Sequence, residues 1–204
     1  FYIQHTRPNV ATYCQIADCY QNLEKQELAR DYYRKALDVN NDYAEAWYGM
    51  GITYQKEMRY QQAIPFLEKA VGLKEEEDYW FALADSYNFL SREEQAKGAY
   101  RKAIEIDPTL IEAWTEFALM LYEIGQGEAS ADLVKEGLRE NPDSDELYLL
   151  LSGMLVEKGA KTEASFYLEN GLRLNPEGPE LLFEYFPHLE QDSWLLNFIQ
   201  NNQS

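Results

Sequence analysis

Apolar positions recur along this chain at the spacing of one helix face, and the whole pattern then repeats. The clearest example runs from Glu77 to Leu110. One face there carries Trp80, Leu83, Ala84 and Tyr87, and a second face, after a turn-prone stretch, carries Ala96, Tyr100 and Ala103. Apolar residues three and four positions apart are typical of amphipathic α-helices. The segment therefore predicts two antiparallel helices joined in a hairpin.

Small residues mark the same two places in five successive copies of this hairpin. They are Ala17, Gly51, Ala84, Ala118 and Ser152 in the first helix, and Ala29, Ala63, Ala96, Ser130 and Ala164 in the second. Neighbouring members of each series are 33 or 34 residues apart. A fixed period of this length indicates an array of helical hairpins. Small side chains at these places predict that the two helices of each hairpin approach closely.

The period divides the chain into a leading segment, five repeats and an ending. The repeats are predicted at residues 10–43, 44–76, 77–110, 111–144 and 145–178. Residues 1–9 are interpreted either as a disordered start or as the remnant of a preceding hairpin. Repeat arrays need a terminal element that covers the last apolar face. Residues 179–204 are therefore predicted to form two capping helices and a tail, held by Leu182, Tyr185, Trp194, Leu195 and Phe198.

The motif W-x2-L-[G/A]-x2-Y, then A-x3-[F/Y]-x2-A, then P, resembles that of the tetratricopeptide repeat family. Repeat three fits it throughout, with Ala84 in place of Gly and Tyr100 in place of Phe. The resemblance extends from Val10 to Gly178. It implies an all-α, right-handed superhelical solenoid of about five hairpins with a C-terminal capping helix pair.

Charge narrows the classes of partner. The chain has 36 acidic and 18 basic residues, for a formal net charge of −18. Nucleic acids and anionic membrane surfaces would be repelled, whereas basic partners would be attracted. No apolar run approaches the roughly 18 residues of a membrane-spanning helix. The chain begins at Phe1 rather than Met, which suggests a fragment or processed product, and the expected location is cytoplasmic.

No arrangement of residues in the sequence indicates catalysis, and none indicates a metal or cofactor. His5 and His188 lie outside any catalytic signature, and the glycines form no phosphate-binding loop. Cys14 and Cys19 lack the spacing of zinc ligands and are five apart, on different faces of one predicted helix. Both are expected to be buried small residues rather than a disulfide. The chain is predicted not to be an enzyme.

The resemblance implies that ligands meet the first helices of the hairpins on the concave side. The partner-binding residues expected there are Asp18, Tyr48, Ile52, Asp78, Phe81, Asp85, Asn88, Phe89, Thr115, Glu116, Leu119, Tyr122 and Glu123. Exposed aromatic residues beside carboxylates suit a basic, partly apolar peptide. The clamp that some relatives use for acidic chaperone tails is not expected, because acidic and small residues replace its lysines, arginine and asparagines.

Some of the acidity has a second explanation. Asp42 with Glu45, Thr109 with Glu112, and Asp143 with Glu146 are spaced as helix capping boxes. For those three glutamates the capping role is favoured over recognition. Asp85, Glu116 and Glu123 lie deeper in their helices, and for them partner recognition and a simple solvated face remain alternatives.

Together these patterns predict a non-catalytic scaffold that holds a peptide or helix of a partner protein in an acidic, aromatic-lined groove. Two alternatives are kept. One is the substrate-recruiting arm of a larger enzyme or sensor, and the other is a self-associating structural spacer. The sequence leaves the oligomeric state open.

Overall fold

A computed structural model describes residues 9–202, and every regular element in that range is helical. The predicted all-α repeat class is confirmed. The chain divides after Ile106 into two compact units. The prediction for the leading segment falls mostly outside the described residues. Only Asn9 is seen, where its side-chain oxygen caps the first helix by accepting from the amide of Thr12 at 2.8 Å.

The first unit contains three helical hairpins. Its helices are α1 (Val10–Asn22), α2 (Gln26–Val39), α3 (Ala44–Lys56), α4 (Tyr60–Leu73), α5 (Glu77–Phe89) and α6 (Glu93–Ile106). Within each hairpin the two helices pack along their length. Between hairpins, the first helix of one packs mainly against the second helix of the hairpin before it.

The second unit contains two more hairpins and the C-terminal segment. Its helices are α7 (Ile111–Glu123), α8 (Gly127–Glu140), α9 (Asp145–Glu157), α10 (Lys161–Leu174), α11 (Pro179–Tyr185) and α12 (Ser193–Asn202). A short 3₁₀ helix, Pro187–Gln191, joins the last two. The C-terminal segment departs from the repeat, because α11 packs on α9 whereas α12 packs on α10.

The ten small residues of the repeat are all buried, as predicted. At Gly51 an added Cβ would lie 2.6 Å from the side chain of Leu67, so the close helix approach depends on the missing side chain. Where Ser130 replaces the usual alanine, its hydroxyl donates to the carbonyl of Ala118 at 2.6 Å across the hairpin. The buried hydroxyl is thereby paired.

Each hairpin turn ends its first helix in the same way. The residue after the C-cap takes a left-handed conformation, at Glu24, Met58, Ser91, Gly125 and Gly159, with φ between 54° and 79°. The next amide then donates to a carbonyl five residues earlier, as Arg59 does to Tyr54 at 2.9 Å. This is the Schellman ending of a helix, in which glycine is the favoured residue.

The predicted capping boxes are wrong. α3 begins after Tyr43 and α7 after Leu110, and neither residue caps its helix with a side chain. α9 is capped by Ser144, whose hydroxyl accepts from the amide of Leu147 at 3.3 Å. Each helix begins one residue later than the box requires, so the paired acidic residues fall out of register with the free amides.

The prediction for the cysteines is half correct. Cys14 is buried in α1, but Cys19 is exposed, and both are free thiols. Five residues along an α-helix rotate a side chain by about 140°, so only one of the two can face the core.

Candidate partner-binding faces

Eight of the predicted partner-binding residues lie in the first unit, on the first helices of its hairpins. They are Asp18 on α1, Tyr48 and Ile52 on α3, and Asp78, Phe81, Asp85, Asn88 and Phe89 on α5. Asp18, Asp78 and Phe89 are exposed, and the other five are half-buried. Gln55 links two of these helices by donating to the carbonyl of Ala82 at 2.7 Å. All eight side chains therefore retain surface that a partner can reach.

A cavity of about 260 Å³ opens between α1, α2 and α3. Its lining residues are Cys14, Asp18, Gln21, Tyr33, Glu45, Tyr48, Gly49 and Ile52. Two carboxylates and a tyrosine ring thus face a space large enough for several water molecules. The ring of Tyr48 also stacks on Tyr79, with centroids 4.5 Å apart, which fixes its orientation.

The electrostatic environment of this cavity is negative. Burial raises the pKa of the Cys14 thiol to about 11, with Asp18 and Glu45 adding to the shift. Burial also raises the pKa of Tyr48 to about 12, and the carboxylates of Asp78 and Asp85 act in the same direction. Both groups stay neutral at physiological pH, so the charge here comes from the carboxylates.

Two of the predicted carboxylates are held by buried tyrosines of their own hairpin. The hydroxyl of Tyr33 donates to Asp18 Oδ1 at 2.5 Å, and that of Tyr100 donates to Asp85 Oδ1 at 2.7 Å. The corresponding position in repeat two is Ile52. These bonds explain part of the acidity without a ligand. Sequence reasoning missed them, although an aspartate followed by a tyrosine 15 residues later was a visible signal.

An aromatic pair, exposed Phe89 and half-buried Tyr60, lies at the turn end of the second and third hairpins. Phe89 is 62% exposed, and its ring lies parallel to that of Tyr60, with centroids 4.2 Å apart. Phe81 lies deeper on α5, with its ring tilted against that of Tyr100 at 6.0 Å. Phe89 and Tyr60 offer an apolar platform near the carboxylate of Asp85. Burial is the main cause of the raised pKa of Tyr60, and the charge of Asp85 adds to it.

The other five predicted residues lie on α7 in the second unit. Glu116 and Glu123 are exposed, and Leu119 and Tyr122 are half-buried. Thr115, in contrast, is only 2% exposed, because α7 packs against α9. Its side chain is not presented to a partner.

The carboxylate of Glu116 has a raised pKa although the residue retains exposed surface. Partial desolvation by the surrounding protein is the main cause, and the nearby charges of Glu123 and Glu146 add to it. A second concentration of negative charge therefore lies on the first helices of the second unit.

The equivalent face of repeat five is covered. Gly153 and Val156 occupy first-helix positions that keep exposed surface in all the other repeats, yet both are buried. The ring of Phe186 packs against Gly153 and contacts Tyr122 edge to face, with ring centroids 5.8 Å apart. Sequence reasoning missed Phe186 as a cap residue.

Helical hairpins packed in series, with small residues at each helix crossing, define a helical-repeat protein. The chain contains tetratricopeptide repeats, since one model described as "Tetratricopeptide repeat" matches residues 42–107 and another matches residues 10–43. This family consists of generally non-catalytic scaffolds that bind proteins. The comparison with curated proteins gave no significant match.

Several solved structures have a similar fold. A crystal structure of MamA is 19% identical, covering 84% of this chain and 94% of that one, with a TM-score of 0.70. YrrB, described as a TPR protein with an unusual peptide-binding site, is 21% identical. The match covers 89% of this chain and 94% of YrrB, with a TM-score of 0.66. PilF of Pseudomonas aeruginosa is 17% identical, and the match covers 95% of this chain and 96% of PilF, with a TM-score of 0.67. At these identities the similarity establishes the fold.

Two features are absent from residues 9–202. No helix there is both long and apolar enough to cross a membrane. In the same range, no three side chains of the metal-binding types are grouped so that they could hold an ion.

Proposed function

We propose that the chain is a non-catalytic scaffold whose first unit binds a basic, partly apolar segment of a partner protein. The observation that carries this proposal is the cavity between α1, α2 and α3. Asp18 and Glu45 supply two carboxylates, and Tyr48 supplies an aromatic face. An arginine or lysine side chain inserted there would form charge-assisted hydrogen bonds and a cation–π contact.

The aromatic pair on α4 and α5 supports the apolar part of the recognition. Phe89 and Tyr60 stack in parallel, and Phe89 leaves most of its ring in solvent. Aromatic residues of this kind dominate the binding energy of protein interfaces. An apolar side chain of the bound segment would cover the exposed ring.

Long-range charge supports the same partner. A net charge of −18 attracts a cationic segment and raises its association rate at low ionic strength. The peptide-binding site described for the similarly folded YrrB adds a precedent for peptide recognition on this fold.

The test begins with a random peptide library selected against the full chain. Selected peptides are expected to contain arginine or lysine next to apolar residues. Their affinity is then measured by fluorescence polarisation at two salt concentrations, against the chain and against the variant Asp18→Asn with Glu45→Gln. Asparagine keeps an acceptor for the hydroxyl of Tyr33, so the fold is preserved while the charge is lost.

The control variant is Asp38→Asn with Glu105→Gln, which makes the same change in charge at exposed positions on α2 and α6. Losing charged hydrogen bonds at the cavity should weaken binding about tenfold or more, since such bonds contribute roughly 1.5–3 kcal/mol. The control should change affinity by less than about threefold. Equal losses in both variants would leave only general attraction between charges, and the cavity would not be the site.

A further inference from the structure

The C-terminal segment lies where the repeat pattern would leave an open face. In the earlier repeats, the residues equivalent to Gly153 are Asp18, Ile52, Asp85 and Leu119, and all four retain exposed surface. Gly153 itself is buried. Had the chain continued its repeat, α11 would pack mainly against α10, as α9 packs against α8. Instead α11 packs on α9, and α12 takes the place against α10.

The contact at Gly153 is shaped for an aromatic ring. A Cβ atom added there would lie 2.3 Å from Cδ2 and Cε2 of Phe186 and 2.9 Å from Cδ1 of Leu182. Only glycine leaves room for the ring at this point of the helix. Phe186 is 2% exposed, and its ring also contacts that of Tyr122 edge to face. We call this space, bounded by Gly153, Leu182 and Tyr122, the notch.

Tyr185, the residue before Phe186, is held on the same face by a hydrogen bond. The hydroxyl of Tyr185 donates to Glu146 Oε1 at 2.8 Å. Burial and this bond raise the pKa of Tyr185 far above its ordinary value, and the charge of Glu116 contributes. The face of repeats four and five therefore contacts two successive aromatic side chains, one by shape and one by its hydroxyl.

We propose that this face is a binding surface for a Tyr-Phe segment, and that residues 179–191 of the chain occupy it as an internal ligand. An external segment of the same aromatic chemistry binds only by displacing them. The inference concerns the second unit and goes beyond the proposed function, which rests on the cavity of the first.

The contacts outside the notch are of a kind that permits displacement. His188 pairs with Glu157, and Lys161 lies 3.6 Å from Asp192, with substantial exposure in each pair. Exposed ion pairs contribute little to stability. α11 has only seven residues, and a helix of that length is marginal without packing. The buried side chains of Phe186, Leu182 and Leu189 therefore supply most of the attachment.

The test uses a labelled synthetic peptide with the sequence of residues 179–191. It is titrated into the full chain and into the full-length variant Tyr185→Ala with Phe186→Ala, whose internal segment has lost both contacts. The peptide should bind the variant at least tenfold more tightly than the unchanged chain. A peptide that carries the same two alanines is the control and should bind neither protein. Equal affinity for both proteins, or no binding to the variant, overturns the proposal.

A second variant decides the matter if the double variant does not fold. Gly153→Ala keeps α9 intact, since alanine favours a helix more than glycine does. Its Cβ occupies the space of the Phe186 ring, so amide hydrogen exchange across residues 179–191 should become at least tenfold faster while α9 stays protected. Unchanged exchange in that segment overturns the proposal. The peptide selection for the first unit leaves the C-terminal segment unaltered, so either proposal can fail alone.

Discussion

The indole groups of three equivalent tryptophans have different environments. Trp47 donates from Nε1 to the carbonyl of Asn41 at 2.7 Å, and Trp114 donates to that of Pro108 at 2.9 Å. Both acceptors lie six residues upstream, in the turn before the helix. The Nε1 group of Trp80 is buried and has no hydrogen-bond partner among the described residues.

A missing residue accounts for the difference. Repeat two is one residue shorter than the others, so the turn between Lys74 and Glu76 cannot place a carbonyl in the same position. An unpaired buried donor carries a desolvation cost that a paired one avoids. The shorter repeat is visible in the sequence, but only the coordinates show that its effect falls on the indole of Trp80.

We therefore predict that Trp47→Phe destabilises the chain by about 1 kcal/mol more than Trp80→Phe does, because only the first change breaks a hydrogen bond. Both tryptophans are half-buried and lie in the first unit, so their packing losses should be similar. Urea unfolding of the two variants measures the difference. Equal losses of stability would show that the two indoles are paired alike.

The left-handed turn residues give a second prediction. Met58 has a φ of 58° and is 74% exposed, so its side chain gains little from packing while its backbone is strained. Met58→Gly relieves the strain and is expected to stabilise by about 0.5–1 kcal/mol, after the greater chain entropy of glycine is counted. The reverse change at the matching position, Gly125→Ala, should destabilise by about 1 kcal/mol. Thermal unfolding that shifts in one direction for both variants would contradict this.

At the scale of whole helices, glycines divide into two kinds. At Gly171 an added Cβ would lie 2.9 Å from Cδ2 and Cγ of Leu149, and at Gly137 it would lie 3.0 Å from the ring of Trp114. At Gly72 and Gly98 nothing lies within 4 Å. Gly171 and Gly137 make room for the neighbouring helix, whereas Gly72 and Gly98 only lower the stability of the helix that contains them.

Alanine substitution should separate these two kinds. Gly98→Ala is expected to stabilise α6 by about 0.5–1 kcal/mol through helix propensity. Gly171→Ala gains the same propensity but forces Leu149 to move, and a net loss of about 1 kcal/mol is expected. Chemical unfolding monitored by circular dichroism checks both. A gain at Gly171 as large as that at Gly98 would mean that Leu149 repacks freely.

The helices and their packing could be predicted from the sequence because periodicity and small residues are local signals. The repeated small positions, such as Ala84 and Ala96, needed no knowledge of distant partners. Helix capping could not be predicted so well. A helix start that is one residue later, as at Ala44, is enough to remove the predicted capping hydrogen bonds. The aspartate–tyrosine hydrogen bonds and the packing of Phe186 against Gly153 could not be predicted either. Each depends on which residue a side chain contacts in another helix.

At the scale of the molecule, the candidate binding surfaces are split between the two units. The first unit presents an open acidic cavity, and the second presents a face that its own C-terminal segment covers. The sequence placed both sets on the first helices of the hairpins. The sequence could not distinguish an open face from a covered one, because Gly153 and Val156 occupy the same repeat positions as residues that keep exposed surface in the other repeats.

Buried tyrosines govern how the whole molecule responds to alkaline pH. Burial raises the pKa of Tyr48 to about 12, and burial together with the bond to Glu68 raises that of Tyr87 to about 12. The pKa values of Tyr33, Tyr79 and Tyr185 are also raised, with burial as the main cause. In the unfolded chain all five groups ionise near a pKa of about 10.

The sign of the pH dependence follows from proton binding. Above about pH 10 the unfolded chain has released protons that the folded chain still holds, so the free energy of unfolding falls as pH rises. The stabilisation is complete below about pH 10 and is lost progressively towards the folded pKa values. Urea unfolding at a series of pH values, with tyrosinate absorbance as a second probe, should show this decline. Replacing Tyr48 and Tyr87 by phenylalanine should make it shallower, because two of the groups that couple folding to protons are then gone. A free energy of unfolding that stays constant to about pH 11 would mean that these hydroxyls ionise as freely in the folded chain as in the unfolded one.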